Sequence, residues 1–123
     1  MPVSDSFRDL LETRLRACVP GLRVKRMFGG LGLYAGEAFF AVVAGDELFL
    51  KTDDGNRGMF EAAGMPAFQP MPDRPAMAYH RLPEDVFADP TQLSEWIAAA
   101  LDAVARKALP NSIVRKKAPP KRR

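Results

Sequence analysis

Few residues in this chain are of the types that do chemistry, and their spacing limits what each could do. His80 is the single histidine among 123 residues and sits between Tyr79 and Arg81. A histidine beside a phenol and a guanidinium could act as a general base. Its place near the end of a predicted strand, with no identified partner, favours a structural role. Cys18 is the single cysteine. One thiol makes neither an internal disulfide nor a cysteine-based zinc site. Phe7, Leu10, Leu11, Leu15 and Cys18 recur at helical spacing, which puts the thiol on an apolar stripe, buried and unreactive. Ser4, Ser6, Ser94 and Ser112 fall in caps, an exposed helix face or the tail, and none lies in a glycine-flanked nucleophile elbow.

Two spacings invite a ligand reading. Gly30-x-Gly32-x-x-Ala35 loosely matches a dinucleotide fingerprint, which works only where a strand and tight turn deliver phosphate to a helix N-terminus. A strand pattern follows here instead, so the glycines read as turn and packing positions. Asp53-Asp54-Gly55-Asn56 resembles the start of a calcium loop, but the twelfth position holds Gly64 or Met65 rather than a bidentate acid. Asp53 or Asp54 is read as a helix cap. No catalytic residue, metal site or cofactor is assigned.

The elements that would position these residues are legible from periodicity and punctuation. Ser4 caps a helix to Cys18, stopped by Pro20-Gly21. Leu22–Phe28 and Leu31–Tyr34 read as strands around Gly29-Gly30, and Ala35-Gly36 closes a hairpin. Ala38–Val43 is apolar on both faces, which predicts a central strand. Gly45-Asp46 is a two-residue turn before a strand over Glu47–Thr52. Such short links force an antiparallel meander. A helix over Gly55–Ala63 ends at Gly64, and a proline-rich stretch separates short strand candidates at Ala67–Gln69 and Ala76–His80. Pro83 opens a helical turn to Phe87, and Asp89-Pro90-Thr91-Gln92 starts a helix to about Ala108. Met27, Met59, Met77 and Trp96 are read as core, and Met65 and Met71 as adaptable surface. The predicted class is α+β: an antiparallel sheet, four-strand meander plus a short strand pair, with helices flanking one face.

Charge divides the chain. Residues 106–123 hold eight Lys and Arg and no acid, leaving ten bases against 15 acids elsewhere. An acidic body with a basic tail is expected: one domain over 1–109, and a disordered tail over 110–123. Arg115, Lys116, Lys117, Lys121, Arg122 and Arg123 are candidate nucleic-acid contacts, salt-sensitive and without sequence preference. The longest apolar runs, such as Ala38–Ala44, fall far short of the roughly 20 residues of a membrane span. The polar, acidic start does not read as a secretory signal, so the cytoplasm is the expected location.

Arg26-Met27-Phe28-Gly29-Gly30-Leu31-Gly32-Leu33-Tyr34 resembles the N-terminal domain of TfoX/Sxy-type competence regulators. The likeness continues through Phe39, Leu48-Phe49-Leu50-Lys51-Thr52-Asp53, Phe60-Glu61-Ala62-Ala63-Gly64 and Tyr79-His80-Arg81-Leu82-Pro83. Full-length regulators of that family carry a second domain, so the chain resembles a stand-alone member. The resemblance implies an antiparallel sheet with flanking helices and a link to transcriptional control of DNA uptake. It brings no known catalytic or ligand-binding residue. The motif residues Arg26, Met27, Phe28, Gly29, Gly30, Gly32 and Tyr34 are the candidate interaction surface. The leading expectation is a bacterial regulatory module, monomer or weak homodimer, acting through contacts with a protein partner. A small nucleic-acid-binding protein using its tail is the alternative, and an enzyme near Tyr79-His80-Arg81 the second alternative.

Overall fold

The computed structural model describes residues 3–27, 29–69, 71 and 73–108. Ser4 has extended backbone, and its Oγ accepts a hydrogen bond from the Phe7 N–H at 3.2 Å, satisfying one free donor at the start of α1, Asp5–Cys18. The Ser4 N–H and hydroxyl each donate to the Asp46 carboxylate at 2.9 Å, tying this helix start to a hairpin turn. Strands β1 (Leu22–Met27), β2 (Gly30–Ala35), β3 (Ala38–Ala44) and β4 (Glu47–Lys51) form the expected antiparallel meander. Gly36 and Gly45 supply the positive φ, 60° each, in the β2–β3 and β3–β4 hairpins. Helix α2, Arg57–Ala62, then leads through an irregular stretch to β5, Tyr79–Arg81, and on to α3, Glu84–Ala88, and α4, Pro90–Ala108. Asp89 caps α4 as its spacing predicts. Its Oδ1 accepts from the Thr91 and Gln92 N–H groups at 3.0 and 3.3 Å, and the Gln92 side chain returns to Oδ2 at 3.0 Å.

The predicted strand pair after α2 takes another form. β5 joins the main sheet as a fifth strand beside β4, giving the order β1-β2-β3-β4-β5, while Ala67 makes only an isolated bridge to His80. Pro66 accepts from the Arg81 N–H but, as a proline, has no N–H to return, so the ladder stops there. The segment from Pro66 to Gln69 lies along β5 as a strip. The start of α2 also differs: Asn56, not Asp53 or Asp54, occupies the N-cap position and makes no side-chain cap bond. Its amide instead accepts from the Asp53 N–H and donates to the Lys51 carbonyl, bracing the turn between β4 and the helix.

The helices pack on one face of the sheet. Leu11 and Leu15 of α1, Phe60 of α2 and Leu93, Ile97 and Ala100 of α4 enclose Leu33, Phe40, Val43 and Leu50 in the main core. A smaller cluster, Val42, Ala44, Phe49, Phe68 and Tyr79, lies on the opposite face, where Phe68 of the Pro66–Gln69 strip covers Phe49 at 4.7 Å between ring centroids. Strand β3 serves both faces through a bulge. Leu33 pairs with Ala41 and Tyr34 with Phe39, leaving Phe40 as the extra residue. Uninterrupted alternation would place Phe39 with Ala41 and Val43. The bulge sends Phe40 into the core at 0% exposure and Phe39 to the helix-free side.

Candidate functional site

The candidate interaction motif is first a piece of backbone engineering. Gly29 holds φ 75° in the β1–β2 turn. At Gly30 an added Cβ would overlap the Val43 carbonyl oxygen of the neighbouring strand β3. At Gly32 a Cβ would displace the end of the Met27 side chain and come within 3.0 Å of the Phe39 ring. Gly32 therefore lets Met27 lie flat beside Phe39. Met27 is half-buried on the helix-free face rather than in the main core where it was expected. Arg26 is exposed, pairs with Leu31 and shares a side of β1 with Leu22 and Val24, away from Met27. Phe28 lies outside the described residues.

What the motif borders is more informative. Tyr34 and Phe39, both half-buried, stack at 4.9 Å with an interplanar angle of 21°, and Phe39 meets Tyr79 at 5.8 Å. The Arg23 guanidinium lies 5.4 Å from the Tyr34 ring centre, and the Lys51 ammonium 5.2 Å from that of Tyr79. Lys25, exposed on the same side of β1, pairs across the ladder with side-chain-free Gly32. Lys51 is only 8% exposed, and among the described residues it makes no ion pair. Burial lowers its pKa, and the nearby Lys107 lowers it further. The neighbouring acid is already engaged: Arg106 of α4 clamps both oxygens of Asp53, at 2.6 and 2.7 Å. That clamp holds the Asp53 carboxyl below its usual range. The end of α4 thus brings two cations to the corner of the sheet where Lys51 sits.

The other sequence candidates do not assemble. Strand alternation separates Tyr79, in the helix-free cluster, from His80, whose ring stands 5.7 Å from Phe60. The His80 Nδ1 hydrogen-bonds the buried Thr52 hydroxyl at 2.9 Å, and burial lowers its pKa below the ordinary imidazole value. Arg81 spans Glu47 at 3.3 Å and Glu84 at 3.5 Å. Cys18 is half-buried rather than sealed; its thiol donates to the Arg14 carbonyl at 3.8 Å and burial raises its pKa. It lines an apolar groove of about 790 Å³ between α1 and α4, with Ala17, Phe87, Ser94 and Ala98. Trp96 packs edge-on against Phe60 at 4.8 Å, half-buried at the core margin, whereas Met77 is 42% exposed and contributes nothing to the core. Met71, at 54% exposure, does lie at the surface, and Met65 packs half-buried against the core. Among the described residues no group of three or more His, Cys, Asp or Glu could hold a metal ion. No helix there is long and apolar enough to cross a membrane.

The model of the TfoX N-terminal domain family matches residues 14–104, which include all five strands. The chain belongs to the TfoX N-terminal domain family. The family is of regulatory type and is not a known enzyme family. No curated protein matches the chain. Within this TfoX N-terminal domain, sequence reading singled out Arg26 but passed over Arg23, Lys25 and Lys51. The signal was present as the period-two placement of Arg23, Lys25 and Met27 on β1. The contribution of Phe39 was hidden by the bulge. The basic residues Arg115, Lys116, Lys117, Lys121, Arg122 and Arg123 lie outside the described residues.

Proposed function

We propose that this TfoX N-terminal domain is a regulatory module that works by docking an acidic macromolecule on the helix-free face of its sheet, without chemistry of its own. The observation that carries the reading is Lys51, nine-tenths buried against the Tyr79 ring, without an ion pair among the described residues and with the nearby Asp53 carboxylate clamped by Arg106. Removing an ammonium from water without an anionic partner is costly. An incoming anion would offset that cost; Lys25 extends the same charge to β1, beside Arg23, whose guanidinium also reaches the exposed Glu37 at 3.5 Å. The sequence expectation of contact with a protein partner fits such a face, and its charge selects an acidic partner. In this reading the domain acts in the bacterial cytoplasm, as a monomer or weak homodimer, in transcriptional control of the kind the family name implies. The basic residues from Arg115 onward serve as an auxiliary, sequence-indifferent contact. The enzymatic alternative at Tyr79-His80-Arg81 has no convergent geometry to support it.

The test is site-directed photo-crosslinking of the full chain in its native cell. A photoreactive phenylalanine at Tyr34 reports the helix-free face, and one at Thr13 reports the α1–α4 groove. The reading expects discrete adducts from Tyr34 and none from Thr13. Adducts from Thr13 alone would overturn it. Nuclease treatment of half the sample separates protein adducts from nucleic-acid adducts.

A further inference from the structure

We infer that the acidic macromolecule taken by this face is single-stranded nucleic acid, its bases stacking on Tyr34 and Phe39 and its phosphates meeting Arg23, Lys25 and Lys51. The inference deepens the docking reading above and rests on it. Three features favour a nucleic acid strand over an acidic peptide. The first is planarity: Tyr34 and Phe39 stack face to face, and the outer face of Tyr34, next to the Arg23 guanidinium, is where an unpaired base would extend the stack. Unpaired bases offer flat π-faces to such a platform, and stacking is tolerant of base identity. Carboxylates on flexible side chains gain nothing from it.

The second is the layout of charge. Arg23 and Lys25 stand two residues apart along β1, and Lys51 lies on β4 on the far side of the aromatic pair. Cations therefore border the platform on both sides, as a backbone carrying one charge per nucleotide requires. The third is the corner at Lys51. The last turn of α4 brings Lys107 beside this buried ammonium, and the nearby Asp53 carboxylate is clamped by Arg106. A phosphate placed there would satisfy both. A duplex is the poorer fit, because its paired bases are not free to stack on an aromatic side chain.

Fluorescence anisotropy of the full chain with labelled oligothymidylate of about twelve nucleotides, its oligouridylate counterpart and a duplex of equal length tests the inference. Single strands are expected to bind more tightly than the duplex. The two single strands report whether DNA or RNA is preferred. Tyr34→Ala is expected to weaken single-strand binding about tenfold, with duplex binding unchanged and Tyr34→Phe restoring affinity. Lys25→Ala is expected to reduce the salt slope by about 0.7, the loss of one phosphate contact on a single strand. Thermal melts of each variant establish that the fold is intact. Equal affinity for single strand and duplex, untouched by Tyr34→Ala, would assign binding to the tail and overturn the inference. Tyr34-dependent binding of a polyglutamate peptide, with none of the oligonucleotides, would also overturn it while leaving the docking face standing.

Discussion

On the helix-covered side of the sheet, Leu33, Phe40 and Leu50 are sealed at 0% exposure beneath α1 and α4. On the other side, built from the same strands, Tyr34 and Phe39 stack half-exposed beside Arg23 and Lys25. A single bulge in β3 separates the two environments, turning adjacent phenylalanines in opposite directions. The helix-covered face gains from every methylene it removes from water. The helix-free face keeps a buried lysine with no ion pair among the described residues, whose desolvation the Tyr79 ring offsets only in part. On the docking proposal, stability and recognition fall on different sides of one sheet, and variants on one side should leave the other's property largely intact.

The largest effect expected is at Phe40. Phe40→Ala should lower stability by about 3–5 kcal/mol in denaturant unfolding. Phe39→Ala should cost about 1–2 kcal/mol, as for a half-buried side chain. Equal losses would mean that the bulge does not divide the faces. Next is Gly30, where a methyl group meets the β3 backbone, which cannot yield as a side chain can. Gly30→Ala should cost about 1–3 kcal/mol, and Gly32→Ala less, since Met27 can swing aside. If Gly32→Ala is the more damaging, the packing of the motif is misread. The two glycines then divide as the faces do: Gly30 changes stability, and Gly32 chiefly the platform.

A smaller effect is expected at the Asp53–Arg106 tie, whose arginine is 48% exposed. Asp53→Asn should lower stability by about 0–1 kcal/mol near neutral pH. The Arg106 hydrogen bonds depress the Asp53 pKa in the folded state. Its contribution is therefore complete above the unfolded carboxyl value of about 3.9 and is lost as pH falls through the folded value. Thermal midpoints of wild type and Asp53→Asn should converge on acidification; a gap that widens would contradict the assignment. The smallest response concerns Cys18. Its raised pKa and half-burial should slow labelling about tenfold relative to a free thiol, with stability unaffected by pH near neutrality. Labelling at the free-thiol rate in the folded protein would show the groove to be more open than described.

Most of the framework was legible because it is local. Ser4 and Asp89 cap helices by short-range hydrogen bonds, and Gly36 and Gly45 set hairpins by their own φ, so residue type alone points to them. The apolar run of β3 likewise announced a central strand. What escaped was non-local. The turn of Phe40 into the core depends on how β3 registers against β2, which no window of either strand reveals. Asp53 has the residue type of a cap, yet Arg106, distant in sequence, claims its carboxylate. Met77 was assigned to the core by type, but its main chain is tied to Phe68 in the strip over β5, leaving the side chain outside. For the candidate site, the motif glycines were found because they restrict the backbone. The cations around them were not, because a Lys or Arg on an exposed strand looks the same whether or not it borders an aromatic platform.

The most direct test of the division between faces follows methionine methyl groups by NMR in the full chain. Met27 lies on the helix-free platform and Met59 packs against the helix-covered core. With isotope-labelled methionine methyls, assigned by Met27→Leu and Met59→Leu, the chain is titrated with oligothymidylate of about twelve nucleotides. The Met27 resonance should move in a saturable manner while Met59 stays in place. Movement of Met59 with Met27 unchanged would place binding on the helical side and contradict the account.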